Sequence, residues 1–438
     1  MVAEIADEAT YQEDCARTWR RVFGKDRNMA LQAADLEKMP EFERRIRAQY
    51  PDVFKEPTGL PPARRDGGFR IRTIPGAEPP HRSPYRLTPD EWEAYGEKTQ
   101  ALLSKRLIRK SNSPYAAPVI IVPQGFDDDG KPKMRMCIDY RALNKITIKD
   151  RFPLPHLEDL ISKFHGMHRF TKLDFWSGFH QHRCHPDSIE KTAFIGRDAL
   201  YEWLVMPFGA ANAPSEFMRL MADLLLEHID KGYCIVFIDD ILIYSKNDED
   251  HERHVKPVMD TIRKAGLRLH GSKCSFGRTS APLLGFNISG DGPDGASVRM
   301  THEKVKAIAD WPCPASPKDM RSFIGLAGVY RKFVPDFAKI SAPLMELHTA
   351  DQQEFDACKA DAARWTRVTT AIDFLKAVMI TRPALALPER NNYNYLVRTD
   401  ASDFAIGATP RQLQIPEGDA GTESQDRIIE YVLLTKTA

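Results

Sequence analysis

Several features that would place this chain in other protein classes are missing from its sequence. Its seven cysteines lie far apart and include no Cys-x-x-Cys pair, which argues against a disulfide framework and a zinc ribbon. No apolar run approaches the roughly 20 residues that a membrane-spanning helix requires, and the acid-containing start MVAEIADEAT is not a signal peptide. We therefore expect an intracellular protein, in the cytoplasm or the nucleus, with no membrane partner.

The charge of the chain is nearly balanced, so it gives little indication of a partner. The formal net charge is +1 at pH 7, which does not by itself indicate nucleic-acid binding. Between residues 101 and 200, lysine and arginine outnumber aspartate and glutamate by 17 to 11. This local excess weakly supports a phosphate-binding face.

The order of sequence patterns predicts an α+β fold. Short β-branched runs alternate with helical patterns as far as about residue 290, which is typical of a domain built on an antiparallel sheet. Thr88 and Pro89 suit the cap and first turn of a helix that extends to about Lys105. The expected divisions are a charged helical segment (1–45), an extended arm rich in proline and arginine (46–87), a mixed domain (88–290), a helical region (291–355) and a tail that returns to strands (356–438).

The run CIVFIDDILIY (234–244) carries two adjacent aspartates inside an otherwise apolar stretch. A buried carboxylate without a partner is costly, so Asp239 and Asp240 must reach either water or a cation. We expect a hairpin in which residues 235–238 and 241–244 form the strands and the two aspartates form the turn. A surface turn without further function is the alternative, because aspartate is a favoured turn residue.

A third aspartate lies in a second β-like run, FTKLDFWSGFHQ, where Asp174 stands between Leu173 and Phe175. If this strand is a neighbour of the hairpin, three carboxylates converge, and Mg²⁺ is the natural counter-charge for such an oxygen-rich site. Two such ions about 4 Å apart can support an in-line phosphoryl transfer. The spacing alone does not establish that the two strands meet.

The order of eight sequence blocks resembles the reverse transcriptase of gypsy-type LTR retrotransposon polyproteins. Eight blocks in the order of that family are far more specific than one aspartate pair. The blocks are SNSPYAAPVIIV, MRMCIDYRALNKITIKDRFPLPHLEDLI, FTKLDFWSGFHQ, KTAFIGRDALYEWLVMPFGAANAPSEF, FIDDILIYSK, GLRLHGSKCSF, LLGFNIS and SFIGLAGVYRKFVPDFAKISAPL.

This resemblance implies a right-hand polymerase, with fingers and an antiparallel palm in 88–290 and a thumb in 291–355. A connection and an incomplete RNase H-like domain are expected in 356–438. The implied activity is RNA-directed DNA polymerase, a nucleotidyl transfer from a dNTP to the 3′-hydroxyl of a DNA primer on an RNA template. The implied cofactor is Mg²⁺, as two ions, with Mn²⁺ as a substitute. A catalytically dead retroelement relic that only binds nucleic acid is the alternative.

The resemblance also implies roles for the three aspartates. Asp174, Asp239 and Asp240 match the metal-binding positions of the family, and the backbone carbonyl of Phe175 is expected to add a ligand. The hairpin motif usually begins with tyrosine, whereas this chain has Phe237. Because the ring is kept and only a hydroxyl is lost, we expect tuned rather than abolished activity.

Four further positions match the nucleotide site of the family. Arg135 stands where relatives hold the incoming triphosphate, with either Lys131 or Lys133 as its neighbouring cation. Phe179 falls at the steric gate that excludes a ribose 2′-hydroxyl, although a core aromatic on an alternating strand is the alternative. In relatives, the residues that match Phe208 and Gly209 pack beside the nucleotide and template.

The remaining implied sites lie towards the C-terminus. Lys273 occupies a position proposed to protonate the leaving pyrophosphate, although an ordinary surface lysine is the alternative. Asp400, in YLVRTDASDFAIGA, matches the first catalytic aspartate of RNase H. The residues that resemble the primer grip are Leu284, Gly285 and Phe286.

The RNase H-like part is expected to be inactive. Only 38 residues follow Asp400, and they end in the strand-like stretch RIIEYVLLTKTA without the expected helix. Three strands without a covering helix are marginally stable, so we expect a poorly ordered tail. Since protease and integrase motifs are also missing, we expect a fragment of a longer polyprotein or a truncated genomic copy.

Overall fold

Helices and strands are mixed along the chain, and the sheets are antiparallel, which confirms the α+β prediction. A computed structural model describes residues 40–64, 67–126, 132–153, 155–292, 295–334, 337–380, 385–386, 395–401, 405–414, 425–428 and 432–435. The helices are α1 (Glu41–Gln49), α2 (Pro89–Ser104), α3 (Arg141–Ile146), α4 (Leu157–Ser162), α5 (Pro186–Ile189), α6 (Ala213–Leu224), α7 (Leu226–Asp230), α8 (Asp248–Lys264), α9 (His302–Ala309), α10 (Pro317–Val329), α11 (Phe337–Glu346), α12 (Gln352–Ala360) and α13 (Ala362–Ile380). The strands are β1 (Ile108–Lys110), β2 (Val119–Phe126), β3 (Pro132–Ile138), β4 (Arg169–Leu173), β5 (Phe194–Ile195), β6 (Leu200–Trp203), β7 (Cys234–Phe237), β8 (Asp240–Ser245), β9 (Ser275–Arg278), β10 (Ser280–Leu283), β11 (Phe286–Gly292), β12 (Gly295–Met300), β13 (Leu385–Ala386), β14 (Tyr395–Ala401), β15 (Ala405–Gln414), β16 (Gln425–Ile428) and β17 (Val432–Thr435).

The run 234–244 lies in a four-stranded antiparallel sheet with the order β7-β8-β4-β9. Successive side chains of a strand point to opposite faces of the sheet. Ile235 and Leu242 are buried in the core that the sheet shares with residues 281–379. Val236 and Ile241 are buried in a second core, which includes side chains of α6 and α8. Because both faces are covered, these strands need a continuous apolar run rather than an alternating one.

The helix predicted from Thr88 is confirmed as α2. The Thr88 hydroxyl accepts a hydrogen bond from the backbone N–H of Glu91, and the Glu91 carboxylate accepts one from the backbone N–H of Thr88. This reciprocal capping satisfies two backbone donors at the helix start. Tyr95 of α2 is buried in a third core together with Phe194 and Trp203 of the neighbouring sheet β1-β6-β5.

Residues 67–87 form an irregular segment that runs along the sheets and helices of residues 108–203. Isolated β-bridges join Phe69 to Cys184, Thr73 to Thr147 and His81 to Ala116. The segment therefore satisfies part of its backbone hydrogen bonding against other elements, as expected for an arm laid over a surface.

Helix α1 packs against the β9 side of the four-stranded sheet. The Arg278 guanidinium lies 3.0 Å from a carboxylate oxygen of Glu43, and Arg47 donates to the backbone oxygen of Gly271 over 2.8 Å. The Tyr50 hydroxyl donates to Asp260 of α8 over 2.9 Å. The helix crosses the expected division at residue 45, and the rest of the charged segment (1–39) lies outside the described residues.

The C-terminal part combines helices with two further sheets. Strands β10-β11-β12-β13 form one sheet, and β15 pairs with β14, β16 and β17 in the other. Strand β12 extends to Met300, so the helices of the expected helical region (291–355) begin only at His302, and α9–α13 share one core. Within the described residues, no helix is both long enough and apolar enough to cross a bilayer.

A buried histidine links the four-stranded sheet to α8. His251 is 2% exposed, and its two ring nitrogens lie 2.7 Å from the Thr171 hydroxyl and 2.9 Å from the Ser245 hydroxyl. Burial, together with the charge of the neighbouring His254, lowers the pKa of His251 to about 4. His251 therefore remains neutral in the folded protein at pH 7.

Because His251 is buried in its neutral form, we expect the stability of the fold to decrease in acid. An unfolded chain protonates the imidazole near its ordinary pKa of about 6.5, whereas the folded chain resists protonation until about pH 4, so stability falls as the pH drops through that window. Between pH 7 and pH 5, we expect the free energy of unfolding of the wild type to fall by about 2 kcal/mol more than that of His251→Gln, as measured by urea unfolding. The exposed His302→Gln variant is the control, and an equal pH dependence in both variants would contradict the prediction.

Candidate active site

The register of β4 and β8 brings the three aspartates to the same end of the four-stranded sheet. Strand β4 pairs with β8 as far as Leu173 and Ile241, so Asp174 follows β4 where Asp240 begins β8. The prediction that both aspartates form the hairpin turn is wrong in detail. Phe237 pairs with Asp240, and the turn is formed by Ile238 and Asp239.

The hairpin turn contains a strained residue. Ile238 has a φ of 57°, in the left-handed region that β-branched residues rarely occupy. Its backbone N–H donates to the sulfur of Met218 on α6 over 3.2 Å. Such conformations cost about 1–3 kcal/mol and persist only where the surroundings impose them. Here they orient the neighbouring Asp239.

A second segment fixes the backbone of Asp174. The backbone N–H of His270 donates to the Asp174 carbonyl over 2.8 Å, and the N–H of Trp176 donates to Arg268 over 3.1 Å. The N–H of Asp174 donates to the sulfur of Cys274, which is buried and lies 3.3 Å away. Cys274 lies in the block GLRLHGSKCSF but was not identified as a site residue from the sequence, because only the fold reveals its contact with Asp174.

Two lysines balance the charge of the carboxylates. Burial raises the pKa of Asp174, the positive charges of Lys273 and Lys172 lower it, and the charges of Asp239 and Asp240 raise it again. Desolvation at the hairpin also raises the pKa of Asp239, and the charge of Asp240 adds to this effect. All five groups therefore lie within electrostatic range of one another. Lys172 was not identified from the sequence.

The carboxylates fit a divalent cation in their chemistry, but they are not gathered around one point. Within the ranges that the structure describes, no three His, Cys, Asp or Glu side chains are grouped closely enough to hold a metal ion. The Lys172 ammonium instead lies 2.7 Å from a carboxylate oxygen of Asp240. Carboxylate oxygens are the ligands that Mg²⁺ prefers, so the donor set suits such an ion.

Three of the predicted nucleotide-site residues line one cavity. Arg135 is exposed on β3, where it pairs with Val122 of β2. Phe208 and Gly209 line the same cavity, whose volume is about 870 Å³. Gly209 has a φ of 88°, and an added Cβ atom would lie 3.4 Å from the backbone oxygen of Ile138. This close approach in the left-handed region explains the glycine.

Phe179 lies on a 3-10 turn, Gly178–Gln181, rather than on a strand. Strand β4 ends at Leu173, so the alternative of an alternating strand is wrong. The Phe179 ring is partly buried, and its centroid lies 4.9 Å from that of Phe208 and 5.5 Å from that of Phe217. The aromatic side chain therefore packs beside the cavity that contains Phe208.

The residues of the predicted primer grip form the turn between β10 and β11. Leu284 and Gly285 have φ angles of 50° and 87°, and Leu283 pairs with Phe286. The backbone oxygen of Gly285 accepts hydrogen bonds from the N–H of Thr301 and the hydroxyl of Tyr330. The turn is thereby attached to the start of α9, through its cap Thr301, and to the end of α10, through its cap Tyr330.

The other predicted residues lie outside the cavity that Arg135 lines, or outside the described residues. Lys273 is exposed and acts on Asp174 only through its charge. Asp400 lies on β14 and pairs with Gly407 of β15. Lys131 lies outside the described residues, whereas Lys133 lines the cavity beside Arg135.

The strained turn leads to a stability prediction. Ile238→Gly should leave the free energy of unfolding unchanged or raise it by up to about 1 kcal/mol, because glycine adopts a positive φ without the steric cost. The matched variant Ile241→Gly, at a fully buried position on β8, should lose about 3–5 kcal/mol. Urea unfolding measures both values. Equal destabilisation by the two variants would show that the turn stores no strain.

Comparisons with known proteins agree with this architecture. A family model for reverse transcriptase (RNA-dependent DNA polymerase) matches residues 124–288. The chain is 36% identical over 339 residues to the retrovirus-related Pol polyprotein from transposon 297 of Drosophila melanogaster, which covers 77% of this chain and 31% of that protein. It is 37% identical over 278 residues to the corresponding polyprotein from transposon gypsy of the same organism, which covers 63% of this chain and 26% of that protein. The chain thus spans less than a third of the length of these relatives.

Solved structures show the same fold. The foamy viral protease-reverse transcriptase in complex with dsDNA has a TM-score of 0.74 and 21% identity, and the match covers 94% of this chain and 82% of that one. The same viral protein in complex with an RNA/DNA hybrid gives a TM-score of 0.71 and 21% identity, over 94% and 53% of the two chains. These likenesses confirm the predicted right-hand polymerase fold. Residues 124–288 therefore belong to the reverse transcriptase (RNA-dependent DNA polymerase) family, and the chain is similar to retrotransposon Pol polyproteins over part of their length.

Proposed function

We propose that this chain is an RNA-directed DNA polymerase, which extends a DNA primer on an RNA template. The observation that carries the proposal is the β4–β8 register, which sets Asp174 beside the hairpin of Asp239 and Asp240. The 3′-hydroxyl of the primer attacks the α-phosphorus of a dNTP. The bond between that phosphorus and the bridging oxygen breaks, and pyrophosphate leaves.

Asp174, Asp239 and Asp240 would hold the divalent cations, proposed to be two Mg²⁺ ions or Mn²⁺ in their place, with the carbonyl of Phe175 as a further ligand. When bound, such ions polarise the attacking hydroxyl and neutralise the leaving pyrophosphate. Without them, Lys172 and Lys273 supply the positive charge that these carboxylates require.

The nucleotide would lie in the part of the cavity next to Arg135. A planar, permanently charged guanidinium suits the triphosphate, and Lys133 adds a second cation on the same strand. The Phe179 ring, supported by Phe208, would collide with a ribose 2′-hydroxyl and so favour deoxynucleotides. Gly209 allows the backbone to approach the nucleotide closely.

The remaining roles concern the primer and the leaving group. The turn of Leu284, Gly285 and Phe286 would hold the primer end, since its attachment to Tyr330 makes it rigid. Lys273 would protonate the pyrophosphate. Support for an RNA template and a DNA primer comes from the viral structures of the same fold, which contain dsDNA or an RNA/DNA hybrid.

Primer extension tests the proposal directly. The protein should extend oligo(dT) on poly(rA) with dTTP and Mg²⁺, and Asp239→Asn should lower the rate by about 1,000-fold or more, because several kcal/mol of charge stabilisation are lost. The control is Asp230→Asn, at the end of α7 away from the site. A wild-type protein that binds the hybrid without extending it would contradict the proposal and favour a catalytically dead relic.

The ion pair of Lys172 with Asp240 leads to a second test. Because the ammonium occupies a carboxylate that a metal ion would share, Lys172→Gln should lower the Mn²⁺ concentration for half-maximal thermal stabilisation about 3- to 10-fold. Lys172→Arg keeps the charge and should behave as the wild type. An unchanged metal response in Lys172→Gln would show that the lysine does not compete with the ion.

A further inference from the structure

The cavity next to Arg135 extends well beyond the proposed nucleotide site. One wall is formed by residues 55–62 of the arm, a second by α2 and a third by β3. Its volume of about 870 Å³ is near the upper end of the usual range for small-molecule sites. A nucleotide held at Arg135 leaves the far wall, between α2 and the arm, without an assigned role.

The far wall is strongly basic. Lys98 and Lys105 lie seven residues apart, so they share one face of α2 and its C-terminal cap, with Ala101 between them. Lys105 pairs with Glu56, which is the only acidic side chain among the described residues that line the cavity. The lining cations are Lys55, Lys98, Lys105, Lys133, Arg135 and Arg268. Arg268 also lies 3.9 Å from Asp52, which is outside the lining, so two of the six cations face a carboxylate. The remaining excess of positive charge makes the cavity suited to a compact polyanion.

The floor of the cavity adds polar groups without partners. The ring nitrogens Trp176 Nε1 and His180 Nε2 are buried and make no hydrogen bond within the described residues. Both side chains line the cavity. Burial, together with the charge of Lys105, lowers the pKa of His180 to about 4, so the ring is neutral at pH 7. The indole N–H can only donate, which suits an acceptor such as a phosphate oxygen.

We infer that the far end of this cavity, between Lys98 and Lys105 of the α2 face and Arg268, binds an oligophosphate anion at a position separate from Arg135. The ligand is either free pyrophosphate or the phosphate chain of a second nucleotide, since both present the same oxygens. The inference goes beyond the proposed polymerase reaction, because no carboxylate of the active site takes part in it.

Calorimetric titration of the full chain with inorganic tripolyphosphate, in low salt and without divalent metal, tests this site. We expect the double variant Lys98→Gln/Lys105→Gln to weaken binding at least fivefold. The control Lys110→Gln/Lys264→Gln removes two exposed lysines outside the cavity and should bind as the wild type does. The proposed nucleotide site at Arg135 also suits a triphosphate, so the wild type should bind two tripolyphosphate ions per chain, and Arg135→Gln should keep the one that depends on Lys98 and Lys105. Equal weakening by the control and the cavity variant, or loss of both ions in Arg135→Gln alone, would overturn the inference.

A second pair of variants tests the charge without removing a lysine. Ala101→Glu places a carboxylate between the two lysines and should weaken tripolyphosphate binding, whereas Ala101→Gln has the same size and should not.

Titration with pyrophosphate and with dTTP separates the two sources, because a nucleotide ligand requires dTTP to bind more tightly than tripolyphosphate. Tripolyphosphate binding that depends on Lys98 and Lys105 in a protein without primer extension would refute the proposed function alone. Primer extension by a protein whose cavity variants bind normally would refute this inference alone.

Discussion

The antiparallel pairing of β4 with β8 is the constraint on which the site depends. Side chains of both strands are buried on both faces of the sheet, so a shift of one residue would exchange the two cores and bury different side chains. The packing therefore fixes the register that ends at Leu173 and Ile241. That register sets the backbone of Asp174 beside Asp240, although the two residues are distant in sequence. The apolar cores thus determine the position of the charged groups.

The end of the sheet that carries the three aspartates combines several features that lower the stability of the fold. Like charges lie within range of one another, the pKa values of Asp174 and Asp239 are raised, and Ile238 has a positive φ. Functional sites often contain such strain, because the surrounding structure can impose it. Here the surroundings are the sheet, the sulfur of Met218, and the segment that bonds the backbone of Asp174. Lys172 and Lys273 offset part of the negative charge.

The cavity results from the way the proline-rich arm crosses the fingers. Proline cannot donate a backbone hydrogen bond, so residues 55–62 cannot readily complete a sheet and instead form a wall. The other walls come from α2 and β3, and side chains of both elements pack in the third core. Cations from all of these elements meet at one space. Like charges so close together repel one another, and the Glu56 carboxylate, which pairs with Lys105, offsets part of that repulsion.

The sequence by itself determined the α+β class and the helix capped by Thr88. It also singled out the three aspartates, whose metal-binding role stays a prediction. Capping and periodicity are local, and the family blocks specify the fold. The argument against a disulfide framework agrees with the six described cysteines, all of which are free. The tertiary structure alone decided that the turn is Ile238–Asp239, that Phe179 lies on a 3-10 turn, and that Cys274 and Lys172 contact the aspartates. These features depend on register and on contacts between distant segments, which a local pattern does not encode.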